Sequence, residues 1–120
     1  MIVGLPGPVA RAAHLWIAQR VSGLLLAAGL LVHLLRLYHA PRPVDYHWVT
    51  GMLSNPGWRS FHVALLSLLV FHLTAGVRYL LRDLAPVRRF HRIADWAVLL
   101  VGALIFLLGL QALLGAPQVR

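Results

Sequence analysis

The stretch "FHLTAGVRYLLRD" sets His72 inside a run of leucine, valine, alanine and phenylalanine, with Gly76, Tyr79 and Asp83 following at helical intervals. Wound as an α-helix at about 100° per residue, Gly76 falls about 40° from His72, and Tyr79 and Asp83 about 20°. One face therefore carries an imidazole, a missing side chain one turn on, a phenol and a carboxylate. An imidazole lone pair is a ligand for iron. A glycine one turn away leaves beside the ring the gap that a broad flat ligand, such as the edge of a porphyrin, would need. The alternative is a helix-packing glycine beside a histidine that hydrogen-bonds a neighbouring carbonyl. Ionisable groups deep in an apolar span are costly and usually functional, which keeps haem ligation in view.

An earlier run repeats part of this logic. Ser22, Gly29 and His33 fall within about 40° of one another on a helix, with Leu26 interrupting the small-residue stripe. His33 lies nearer the far end of its run than His72 does, so if both bind iron they serve two haems at different depths. Arg20, in "HLWIAQRVSG", stands about a turn inside the apolar boundary. Either it snorkels toward headgroups, or Arg20 and Ser22 together offer donors to a quinone carbonyl or a haem propionate. His62 is offset by about 80° from His72 and is expected to hydrogen-bond the adjoining loop. His39, His47 and His91 fall in or beside loops, and His14 at a span boundary.

The elements that must position these residues follow from composition. In 120 residues, 60% are hydrophobic and 12% charged, more apolar surface than a soluble globule of this size can bury. Lipid is the expected solvent. Three apolar segments, about 13–38, 58–81 and 93–114, are each long enough to cross about 30 Å of hydrocarbon as a helix. The expected fold is an all-α membrane protein with three transmembrane helices. Pro41, Pro43, Asn55, Pro56 and Gly57 mark the first connection as a loop, and Pro86 with a charge cluster marks the second. Trp16, Trp58, Trp96 and Tyr38 lie near span ends, where amphipathic rings prefer the headgroup boundary.

Charge supplies an orientation and some exclusions. The net charge is +8, from arginine with no lysine. These arginines interrupt apolar runs and form no polar face, so nucleic acid is not an expected partner. Arg11, Arg20, Arg78, Arg82, Arg88, Arg89 and Arg92 fall on one side of a three-span chain, against Arg36, Arg42, Arg59 and Arg120 on the other. The N-terminus is therefore expected in the cytoplasm and the C-terminus outside. Proline and glycine in "MIVGLPGPVARAAHLW" interrupt what would be a signal peptide's apolar core, so the chain is expected to be mature from Met1. The absence of cysteine excludes disulfides, thiolate zinc sites and iron–sulfur clusters held by this chain.

Taken together, "HLWIAQRVSG", "MLSNPGWR" and "FHLTAGVRYLLRD" resemble the membrane-anchor subunits of succinate dehydrogenase and the related fumarate reductases, the cytochrome b part of respiratory complex II. The likeness runs from about His14 to Asp83; short length, "LWIAQR" and "LSNP" favour the D-type anchor over the C-type. The resemblance implies half of a heterodimeric helix bundle, completed by a second three-helix anchor. It further implies iron–sulfur and flavoprotein subunits docked on the cytoplasmic face of a bacterial or archaeal inner membrane, haem b shared between the anchors, and quinone as substrate. Carried over residue by residue, His72 matches the axial haem ligand, Asp83 the acidic residue closing the second helix, and Arg20 with Ser22 the polar end of the first helix near the quinone. Two positions depart from the pattern. Leu84 stands where many members have tyrosine, with Tyr79 one turn away. His33, which one-haem members lack, resembles the first-helix ligand of two-haem relatives and implies two haems per anchor pair. The chain alone is expected to catalyse nothing. Competing expectations are a cytochrome b subunit of another membrane oxidoreductase, which usually has more spans, and a non-redox scaffold or small transporter. Against the transporter, no carboxylate stands in mid-membrane to couple protons.

Overall fold

A computed structural model describes residues 7–84 and 89–115, and among these there is no strand. Pro86, Arg88 and Arg120, which enter the sequence reading above, lie outside the described residues. Helix α1 (Pro8–Tyr38) starts five residues ahead of the apolar run. Pro8 opens it at a position where a missing N–H costs nothing and a fixed φ helps. It ends where the His39 N–H reaches the Leu35 carbonyl at 3.2 Å, two residues before Pro41 interrupts further winding.

Helix α2 (Tyr46–Ser54) occupies part of what the sequence reading treats as loop. Its start is fixed by Asp45, whose Oδ1 accepts the Trp48 N–H at 2.8 Å, a cap of about 1 kcal/mol. Asn55 then ends α2 and caps α3 (Pro56–Asp83), its Oδ1 accepting the N–H groups of Gly57 at 2.8 Å and Trp58 at 3.4 Å. One residue thus separates two helices. Arg59 ties them further, its Nε donating to the Leu53 carbonyl at 2.9 Å. Helix α4 spans His91–Leu114.

Helix α3 is the middle of the molecule, with α1, α2 and α4 each packed on it. Close approach to α4 comes at Gly102, which faces Thr74 and Val70, and at Gly109, which faces Leu66. Asp95 of α4 is clamped by two arginines one turn apart on α3: Arg78 Nε donates to Oδ1 and Arg82 Nη2 to Oδ2, each at 3.2 Å. Three helices among the described residues, α1, α3 and α4, are long and apolar enough to cross a membrane. Among the described residues burial is confined to Ser22, Leu26, Ala40, Thr50, Leu53 and Gly102. A soluble protein could not leave so many leucines exposed, whereas lipid would cover them.

Candidate functional site

Two histidines lie on the seam between α1 and α3. The helices run antiparallel there, since Ser22 meets His72, Gly29 faces Leu65 and His33 meets His62. The stripe read from the sequence, Ser22, Leu26, Gly29 and His33, is therefore the face that α1 turns to α3.

At the first site the His72 ring lies across α1. Its Nδ1 is 3.2 Å from Ser22 Oγ and 3.2 Å from the Gln19 carbonyl oxygen. The Ser22 hydroxyl proton is already donated to that same carbonyl at 2.9 Å. A carbonyl only accepts and the hydroxyl has spent its proton, so the imidazole must be the donor and Nδ1 carries hydrogen. Nε2 then keeps its lone pair. The ring can lie so close because Gly23 has no side chain; a Cβ there would stand 3.0 Å from His72 Cε1. In return Gln19 Nε2 donates to the His72 carbonyl at 3.0 Å, leaving Gln19 Oε1 buried without a donor among the described residues.

At the second site His62 Nδ1 lies 2.7 Å from the Trp58 carbonyl oxygen one turn before it. That contact again requires a proton on Nδ1, which makes His62 Nε2 an acceptor. His33 Nδ1 sits 3.2 Å from it, the two rings meeting edge to face. His33 must donate, so its Nε2 also keeps a lone pair. His62 therefore hydrogen-bonds its own helix and α1, where the sequence reading expects a bond to the loop. Ten residues separate Gly23 from His33 on α1, and ten separate His62 from His72 on α3, about 15 Å of helix in each case. No single ion could use both His72 and His33.

The remaining expected site residues are dispersed. The space at Gly76, expected to admit the edge of a flat ligand, is taken by the Gln19 amide, whose Nε2 would be 3.0 Å from a Cβ. Gly29 likewise accommodates Leu65. Arg20 and Ser22 stand on different faces of α1, because residues two apart on a helix diverge by about 200°. Arg20 is exposed, its guanidinium 4.2 Å from the centre of the Trp16 ring, while Ser22 is 4% exposed and spent on His72. Tyr79 lines a small cavity of about 60 Å³ with Leu15, Ala75, Arg78 and Arg82. Asp83 is exposed at the end of α3. Sequence reasoning passed over Gln19 and Gly23, and it named His62 but gave it the loop as partner instead of His33 and its own helix.

Among the described residues no three histidine or carboxylate side chains cluster as a cage for a bare metal ion. What the seam offers instead is two separate imidazoles, each held at Nδ1 and free at Nε2. That fits haem, where the porphyrin supplies four nitrogens and the protein needs to supply only axial ligands. A family model described as succinate dehydrogenase/fumarate reductase transmembrane subunit matches residues 9–109, a stretch containing both sites. The match does not divide C-type from D-type anchors. No curated protein matches the chain.

Proposed function

The chain belongs to the family of succinate dehydrogenase/fumarate reductase transmembrane subunits, and on that premise we propose that it is a haem b-binding anchor that serves electron transfer from the iron–sulfur subunit to quinone. Its uncovered apolar faces suit a second three-helix anchor and lipid, and its arginine asymmetry suits a cytoplasmic N-terminus in a bacterial or archaeal inner membrane. The observation that carries the reading is the His72 ring, fixed at Nδ1 and open at Nε2.

Neutral imidazole with a hydrogen-bonded second nitrogen is the usual form of a metal-ligating histidine, because the bond sets both tautomer and ring plane. In this role Ser22 and the Gln19 carbonyl hold the Nδ1 proton, Gly23 makes room for the ring, and His72 Nε2 would be the ligand to iron. His33 would do the same for a second haem. Completed by a histidine from the partner anchor, each site would hold haem b, which would supply one-electron transfer between the iron–sulfur subunit and quinone. Arg20, exposed beside Trp16, offers donors to a quinone carbonyl or a propionate at the end of the seam nearer His72; Tyr79 and Asp83 lie toward that same end of α3.

The test is haem per assembled complex by the pyridine haemochrome assay. His72→Ala is expected to remove one haem and His33→Ala the other. An assembled His72→Ala complex with full haem content and an unchanged reduced-minus-oxidised spectrum would end the reading. The same result for His33→Ala would end the second site only.

A further inference from the structure

His62 has so far no role, yet the second site depends on it. The hydrogen bonds run in one direction, from His33 Nδ1–H to His62 Nε2, and from His62 Nδ1–H to the Trp58 carbonyl. Reversing the first would put a proton on His62 Nε2. Neutral His62 would then present the Nδ1 lone pair to a carbonyl oxygen 2.7 Å away, two acceptors face to face. Keeping both protons would make an imidazolium inside an apolar span beside another imidazole, with no carboxylate among the described residues in contact to balance it. The neutral, one-directional chain is the arrangement without either penalty.

The consequence falls on His33. Whereas the His72 Nδ1 proton has a backbone carbonyl within reach, the His33 Nδ1 meets, among the described residues, only a side chain, and that side chain is itself set by Trp58. The Phe61 ring stands edge-on to His62 with centroids 5.2 Å apart, and Trp58 lies 6.4 Å away. His62 is thus held both by its own hydrogen bond and by aromatic neighbours. We infer that His62 is a positioning residue for His33: by accepting the Nδ1 proton it fixes His33 in the tautomer with Nε2 open, and so orients and electronically tunes the second haem ligand. This rests on His33 being a haem ligand, as proposed above.

The experiment compares His62→Phe, His62→Gln and His33→Ala in the whole purified complex, reading haem content and the midpoint potentials resolved by a redox titration. Loss of the acceptor weakens His33 as a donor to iron, and a weaker donor favours the ferrous state. His62→Phe is therefore expected to raise the potential of one haem, the one that His33→Ala removes, and to leave the other unshifted. Glutamine can still accept through Oε1, so His62→Gln is expected to restore the potential toward its original value. If phenylalanine prevents assembly, His62→Leu takes its place. Unchanged potentials in the apolar variant would overturn the inference, as would equal shifts with glutamine and the apolar residue, which would mean bulk alone matters. Full haem content in His33→Ala would remove the premise as well, and that outcome identifies the His33 reading, not the His62 relay, as what failed.

Discussion

The His72 and His33 sites end in the same atom and reach it by different routes. At His72, helix α1 supplies a backbone carbonyl, a serine hydroxyl and a side-chain gap, so the ring is held by groups that no single side-chain replacement removes together. At His33, the proton acceptor is another imidazole on α3, one hydrogen bond removed from backbone. A backbone carbonyl cannot titrate, rotate away or be substituted. An imidazole can do all three. On the proposed haem role, the first arrangement would give a fixed ligand and the second a ligand whose strength one neighbouring residue tunes.

The largest expected effect that would break this comparison comes from filling the gap at the His72 site. A valine at position 23 puts its Cβ 3.0 Å from His72 Cε1 and 3.5 Å from Nδ1, and that nitrogen is tied to Ser22 and the Gln19 carbonyl on the same helix, so the ring cannot retreat without losing those bonds. Overpacking of this kind costs about 1–3 kcal/mol, and the ring is the group that must yield. Gly23→Val is expected to remove or visibly perturb the haem assigned to His72, and to leave the one assigned to His33, about 15 Å along α1, in place. Full haem content with an unaltered spectrum would show that the ring is not seated against Gly23.

A smaller effect sharpens the comparison. In Ser22→Ala the hydroxyl disappears together with both of its contacts, but the Gln19 carbonyl stays to accept the His72 proton. No buried group is orphaned, so the cost is about 1 kcal/mol, that of one net hydrogen bond. The complex is expected to keep all its haem, with a shift in the His72 haem potential smaller than His62→Phe produces at the other site. A larger shift for Ser22→Ala would mean that the hydroxyl, not the carbonyl, fixes the ring.

How far the sequence discloses this depends on whether a feature is written along one helix or between two. The three apolar helices are legible because their length and composition need no partner. The stripe of Ser22, Leu26, Gly29 and His33 is legible because helical angle is a property of one segment. The contact of His33 with His62 is not: angles place each residue on its own helix but say nothing of how two helices slide past each other, so an 80° offset from His72 conceals a residue that faces α1. Gln19 and Gly23 escape for the same reason. Helix α2 escapes because nine residues containing Gly51, framed by prolines, look like loop unless Asp45 is recognised as a cap. Arg20 and Ser22 are close in sequence yet stand on diverging faces of α1, one beside Trp16 and one against His72, a divergence that helical angle alone discloses.

The smallest expected effect is a control on the claim that the seam, and not the whole bundle, sets the two sites. Asp95 joins α4 to the face of α3 that carries Arg78 and Arg82, with the arginine side chains 34% and 53% exposed and the aspartate 20%. Two such contacts, partly open to water or headgroups, are worth about 1 kcal/mol or less together. In Asp95→Asn the amide still accepts one arginine hydrogen bond but loses the charge. The α3–α4 packing at Gly102 and Gly109 does not depend on it. Thermal inactivation of the complex is therefore expected to shift only slightly, while haem content and both midpoint potentials stay as in the unaltered protein. A changed potential at the His72 haem would show instead that the α4 clamp reaches the seam through α3, and that the two sites differ by more than the groups touching their rings.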